Sequence, residues 1–232
     1  MTSIPFTHYI ALGDSISIDS YPAADVARRY AGKASTTELG AVSLLVRNDD
    51  KLWPEFRGRD LRIPVDDLTS DGATTHSLLR QVERVTRSDE ATLITITAGG
   101  NDLLGEIGGS ESPAHEIFAR LETAVRKLLA LRPNATILIG TVYDPSDGTN
   151  RLPGYGRTLD REAQWLAEYN GLVRTFAHSD PRLRLADIHR HFLGHGMTVS
   201  ERERWYLAES IIEPSARGAS EVRRVWLEVL GL

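Results

Sequence analysis

The chain predicts an α/β fold, a parallel sheet with helices packed on both of its faces. Short apolar runs alternate with longer segments of helical spacing, the order that strand–helix units produce. The runs are apolar along most of their length, as strands buried on both faces are. Over 232 residues, 41% hydrophobic and 25% charged residues are enough to bury the core of such a fold. No internal repeat and no linker divides the chain, so one domain is expected over residues 1–232.

The first strand is expected at His8–Leu12, where Tyr9-Ile10-Ala11-Leu12 runs into Gly13, a residue that permits a sharp exit. Pro22–Phe56 is then a long excursion with a helical stretch at Leu39–Val46. A second apolar run predicts a strand at Leu61–Val65, followed by a helix over Ala73–Thr86. Thr92–Thr97 is rich in β-branched residues and reads as the third strand. Pro113 suits a first helical turn and Pro133 follows a helix end, which brackets a helix over Pro113–Leu131. Asn134 and Gly140 flank the fourth strand, Thr136–Thr141. Asp144–Thr158, with Pro145, Gly148, Pro153, Gly154 and Gly156, is loop. Leu166, Tyr169, Val173 and Phe176 recur at helical spacing within Arg161–Ala177. Leu183–Ala186 is the fifth strand. Ala219, Val222, Trp226 and Val229 mark the last helix, Ala216–Leu230. Right-handed crossovers fix how these units wrap. The two long irregular segments are where an α/β scaffold shapes a binding site.

Composition narrows the function. With 32 acidic and 27 basic residues and a net charge of −5, the chain lacks the basic surplus of a nucleic-acid binder. It has no cysteine, which removes disulfides, thiolate zinc sites and a Cys nucleophile. Met1–Phe6 has neither a basic start nor a long apolar stretch, so no signal peptide, no membrane span and a cytoplasmic location are expected. Oligomeric state is written in no pattern here.

Three turns that follow strands carry polar residues suited to chemistry. Gly13-Asp14-Ser15 presents a hydroxyl after the first strand. Asp71-Gly72-Ala73-Thr74-Thr75 opens a helix, where a backbone N–H can approach a ligand and developing negative charge is favoured. Gly99-Gly100-Asn101-Asp102 follows the third strand and offers a fixed side-chain donor of the kind that builds an oxyanion hole. In parallel units all three lie on one edge of the sheet, where such folds bind ligands. Asp14 and Asp102 are expected to hydrogen-bond turn backbone; Asp19 could enter the cleft or orient a neighbour.

In this order, Gly13-Asp14-Ser15, Gly72 and Gly99-Gly100-Asn101-Asp102 resemble the first three sequence blocks of the SGNH hydrolases, also called GDSL-type esterases and lipases. The resemblance runs over nearly the whole chain. It implies a three-layer α/β/α sandwich around a five-stranded parallel sheet of flavodoxin-like order. It implies Ser15 as nucleophile, with the Ser15 N–H, the Gly72 N–H and the Asn101 side chain as oxyanion hole. No cofactor and no metal are implied. The partner is a small-molecule ester, an acyl ester or an acetylated sugar.

The block that carries the base departs from the pattern. The family reads Asp-x-x-His-Pro with a Gly four residues after the Pro, whereas this chain reads Ser210-Ile211-Ile212-Glu213-Pro214-Ser215-Ala216-Arg217-Gly218. Pro214, Ser215 and Gly218 fit, but Glu213 stands at the histidine position and Ser210 at the aspartate position. In the first block, Ile16-Ser17-Ile18-Asp19 replaces the usual small residues and Gly.

An ordinary glutamate, pKa about 4.3, is a weaker base at neutral pH than histidine. A following helix N-terminus and Arg217 four residues on are both expected to keep Glu213 charged. Asp14 and His195 are the other candidates near the cleft. His195 lies between two glycines after the last strand, in Asp187–Gly196, and could reach the cleft as an alternative base. His189-Arg190-His191 has no clear carboxylate partner for a metal site. His76 is expected at a helix surface, and His8, His115 and His178 stand in no motif. Glu201-Arg202-Glu203-Arg204 reads as a solvated helix face, and Trp205, Tyr206 and Trp226 as core or interface.

The sequence therefore supports a serine esterase with an atypical base, and alternatively a hydrolase-shaped binding protein of weak or lost activity. Nucleotide binding has neither a phosphate-binding loop nor a G-x-G-x-x-G fingerprint behind it.

Overall fold

The computed structural model describes residues 4–30 and 32–232. In chain order the elements are β1 (His8–Gly13), α1 (Ser20–Arg29), α2 (Ala41–Val46), a 3-10 turn (Pro54–Phe56), β2 (Val65–Asp67), α3 (Thr75–Val82), β3 (Thr92–Thr97), α4 (Gly100–Gly105), α5 (Ala114–Leu131), β4 (Thr136–Gly140), α6 (Asp160–Phe176), β5 (Leu183–Ala186), α7 (Ile188–Phe192) and α8 (Ala216–Leu230). The five strands form one sheet in the order β2-β1-β3-β4-β5, every neighbouring pair parallel. This is the flavodoxin-like order, and the three-layer α/β/α sandwich expected from the sequence is the fold. The order in which successive strands are added reverses between β1 and β3, the switch point at which such sheets bind ligands.

The sheet separates two apolar layers. Tyr9 and Ala11 of β1 face a cluster with Leu44 of α2 and Val222 and Trp226 of α8. Ile10 and Leu12 face the other side, with Leu78 of α3, Leu121 and Leu128 of α5, and Tyr169 and Val173 of α6. Side chains alternate because successive residues of a strand point to opposite faces. Each fully buried aliphatic side chain contributes about 1.5–3 kcal/mol, so the central strands are held from both sides.

The second strand lies later than the sequence suggested. Leu61 and Arg62 donate their amides to the carbonyls of Leu45 and Val46 at the end of α2, so the apolar run at 61–65 packs there. The strand itself is Val65-Asp66-Asp67, an exposed, acidic edge that apolar pattern cannot mark. Helix α3 starts at Thr75, because Thr74 caps it by accepting from the Ser77 amide, and ends at Val82.

Helices α1, α4 and α7 were not foreseen. The buried face of α1 carries Asp25, which breaks the apolar period; α4 buries only Leu103; α7 has five residues. Residues 201–204 form turns rather than a helix, with the Glu203 and Arg204 amides donating to the Ser200 carbonyl and Glu201 pairing with Arg29. No helix among the described residues is long and apolar enough to cross a membrane.

Candidate active site

Gly13 ends β1 with φ +123°, and a Cβ there would stand 1.8 Å from the Thr97 carbonyl oxygen of β3. Only glycine lets the two strand ends approach this closely. The Asp14 amide continues the ladder to Thr97 O at 3.0 Å. The Gln81 side chain clamps Gly13 from α3: it accepts the Gly13 amide at 2.8 Å and donates Nε2–H to the Gly13 carbonyl at 2.9 Å. These bonds leave Ser15 at the mouth of a cavity, 5% exposed, in a turn ahead of α1. Among the described residues, neither the Ser15 amide nor the Gly72 amide has a hydrogen-bond acceptor.

Gly99, φ +101°, performs the matching step after β3; a Cβ there would meet the Tyr169 ring at 2.5 Å, and Tyr169 O–H donates to the Ala98 carbonyl. The chain then enters α4, whose first turn holds Asn101. Asn101 Nδ2 donates one hydrogen to the Ala73 carbonyl at 3.0 Å. An amide nitrogen carries a second hydrogen, and Asn101 lines the cavity. Asp102 turns the other way. It accepts the Thr75 amide at 2.8 Å and the Thr75 hydroxyl at 2.6 Å, with Arg120 beside it at 3.3 Å. Asp102 thus binds the third turn to the second, the backbone-holding part expected of it.

Gly72 stands in that second turn with φ +66°, exposed and without a side chain over it. Its turn is tied to the first by the Ser70 amide, which donates to the Gly13 carbonyl at 3.0 Å. Gly72 does not itself line the cavity. Asp19 is drawn away from the cleft: its carboxylate accepts the Gly40 amide at 2.6 Å and the Ser43 hydroxyl at 3.0 Å, anchoring the long excursion.

Glu213 lines the same cavity. Its loop is held by the Leu207 amide donating to the Glu213 carbonyl, a bridge between Tyr206 and Pro214, and the Tyr143 hydroxyl donating to the Ile212 carbonyl at 2.6 Å. Ser215 caps α8 by accepting the Gly218 amide at 3.2 Å, and buried Asp25 accepts the Ala216 amide at 3.1 Å. Nothing in the sequence pattern marks Gln81, Tyr143 or Asp25 for these parts, since each stands inside a regular element or just beyond one.

Burial pushes the Glu213 carboxyl above the usual glutamate range; the neighbouring Ser15 hydroxyl acts against that shift and the Asp71 charge adds to it. Arg217 does not hold Glu213 charged as expected, because its guanidinium faces Glu221 at 2.8 Å and Glu55 at 3.5 Å instead. Glu213 Oε2 is buried and has no hydrogen-bond partner. Asp14 also lines the cavity. Burial pushes it up to about 7, against hydrogen bonds from the Ile16 amide and Thr97 and with the Glu213 charge adding to the rise.

The structure does not bring His195 into this cluster. Its ring lies flat on Trp205, centroids 3.6 Å apart at 4°, and it does not line the cavity. His191 is taken by Glu221 at 2.9 Å. Among the described residues no group of three or more His, Cys, Asp or Glu is placed to hold a metal ion.

The cavity has a volume of about 120 Å³. Its lining includes Ser15, Asn101 and Glu213, and most of the rest is aliphatic. A hydroxyl and a buried carboxyl that share a cavity with a free side-chain N–H have the parts for acyl transfer: one group to attack, one to take the proton, and a donor to hold the oxyanion.

A family model described as the GDSL-like Lipase/Acylhydrolase family matches residues 11–219. No curated protein matches the chain. Solved structures share its fold at low identity. A catalytic mutant of an acetylxylan esterase from Geobacillus stearothermophilus is 19% identical, with a TM-score of 0.66 over 100% of this chain and 97% of that one. An extracellular lipase from Streptomyces rimosus is 19% identical, with a TM-score of 0.62 over 97% and 98%. A lipolytic protein of the G-D-S-L family from Veillonella parvula is 17% identical, with a TM-score of 0.60 over 96% and 97%.

Proposed function

The chain belongs to the GDSL-like lipase/acylhydrolase family, and from that premise we propose that it hydrolyses a carboxylic ester through a Ser15 acyl-enzyme with Glu213 as the base. The observation that carries the reading is the shared cavity, which Ser15, Asn101 and Glu213 all line. Ser15 Oγ attacks the ester carbonyl carbon as its proton passes to Glu213. The negative oxygen so formed accepts from the free Asn101 N–H and from the Ser15 and Gly72 amides. Each such donor is worth roughly 3 kcal/mol to the transition state. Collapse of the intermediate breaks the bond to the alcohol oxygen, which leaves with the proton from Glu213. Water then attacks the acyl-enzyme, Glu213 takes a proton from it, and that proton returns to Ser15 as the acid is released.

Glu213 suits the part better than an exposed glutamate would. A base works best with a pKa near the operating pH, and burial moves this carboxyl in that direction. Its unpartnered Oε2 gives the arriving proton a place.

A fluorophosphonate probe tests the reading, together with p-nitrophenyl ester turnover. The expected result is covalent labelling at Ser15 and turnover that falls by about 10⁴-fold in Ser15→Ala. Glu213 in place of histidine also favours a second reading, a binding protein on a hydrolase scaffold. Folded protein that neither labels nor turns over ester would support that reading instead.

A further inference from the structure

The aliphatic part of the cavity points to the acyl group. Resting on the esterase reading, we propose that this site takes an uncharged, linear aliphatic acyl chain, longer than acetyl, seated between α4 and α6. The walls are Leu103 and Leu104 of α4, Ile107 just after it, Leu152 of the 144–158 loop, and Ala163 and Leu166 of α6. Ala163 and Leu166 are three residues apart and share one face of α6. A cavity of about 150 Å³ accepts benzene; by that measure about 120 Å³ takes a chain of roughly four to six carbons. An acetyl group would leave most of this apolar wall uncovered.

Charge settles what the chain can carry. Among the described residues the lining includes Asp14, Asp144, Glu162 and Glu213 and no Lys or Arg. A dicarboxylic half-ester would therefore meet carboxyl groups and no lining cation to pair with. A hydroxylated chain would find few acceptors free. Asp144 accepts the Ser146 and Gly148 amides at 2.8 Å each, and Glu162 accepts the Gly108 amide at 3.1 Å and pairs with Arg157. An aromatic acyl group lacks a ring to stack on, since Tyr143, the one aromatic side chain of the lining, packs on Phe192 and Tyr206.

The wall is already built. The Leu159 amide donates to the Asn150 carbonyl at 2.7 Å, Asn150 Nδ2 donates to Asp160 at 2.9 Å, and Asp147 accepts the Gly194, Gly196 and Thr198 amides from the facing loop. Binding a chain here orders little that is loose, which cuts the ordering part of the cost of binding.

The test is a series of p-nitrophenyl esters from acetate to decanoate, with benzoate and hemisuccinate alongside. The expected kcat/KM rises about fourfold per methylene, peaks between butanoate and hexanoate, and falls beyond. Ala163→Leu is expected to lower the hexanoate-to-acetate ratio at least tenfold, and Leu104→Ala to move the peak to longer chains. A peak at acetate, benzoate or hemisuccinate, or variant profiles parallel to the parent, would overturn the proposal. Equilibrium binding of the same esters to Ser15→Ala separates the two readings. Affinity that climbs with chain length without turnover in the parent protein would sink the esterase reading alone; affinity flat with chain length would sink the acyl-chain proposal alone.

Discussion

On the nucleophile side of the cleft each turn is tied to the next, Gly13 by Gln81 and Ser70, Ala73 by Asn101, Thr75 by Asp102. On the base side the backbone is held just as firmly, by Tyr143, Asp25 and the Ser215 cap, yet the Glu213 carboxyl ends in an oxygen with no partner. On one side the turns are tied to one another, through the Asn101 side chain among others; on the other the ties are to the main chain around Glu213. Hydrogen bonds to the main chain thus set where Glu213 stands, whereas burial sets how readily its carboxyl takes a proton.

The nucleophile side should break hardest at Asn101. Asn101→Ala removes one oxyanion donor, and kcat should fall about 10²–10³-fold with little change in KM; steady-state kinetics on a butanoate ester reads both. A loss below threefold would leave Asn101 with a structural part only. Gln81 sharpens the comparison as a matter of stability. Gln81→Leu leaves the buried Gly13 amide without its acceptor, which costs about 1–3 kcal/mol. Chemical denaturation should show that loss, and an unchanged midpoint would mean that the clamp holds nothing.

A further effect is on pH, spread over several units. Asp14 is pushed up to about 7 from an ordinary 3.8, so between those values the folded chain binds more protons than the unfolded one. Stability from this group therefore increases as pH falls from about 7 towards 4, with a slope of at most about 1.4 kcal/mol per pH unit. Asp14→Asn should flatten that slope in denaturation curves taken at several pH values. A parent slope of opposite sign that vanishes in the variant would show that Asp14 is charged in the folded protein.

Most of the sheet was legible in the sequence. Thr92–Thr97, Leu183–Ala186 and Ala216–Leu230 have the bounds their patterns predict, because each is an apolar or amphipathic run with clear ends. β2 was misplaced and α1 unseen for one reason: their residues are polar where the period needs them apolar, Asp66 and Asp67 in one and Asp25 in the other. At the site, Ser15, Asn101 and Glu213 stood in motifs and the structure brings them to one cavity. His195 stood in a plausible loop, but stacking on Trp205 decides where its ring goes, and no local pattern encodes that pairing. The same limit hid Gln81, and it misled the reading of Arg217, whose partner Glu221 sits one turn further along α8.

The pH profile of kcat/KM for the parent protein and Glu213→Gln, on one good ester, tests most directly whether Glu213 takes the Ser15 proton. The parent rate should rise with pH through the Glu213 ionisation, above the ordinary glutamate range. The Gln variant should lose that step and run about 10²-fold or more slower on the plateau. A Gln variant with the parent's rate and profile would show that the proton goes elsewhere.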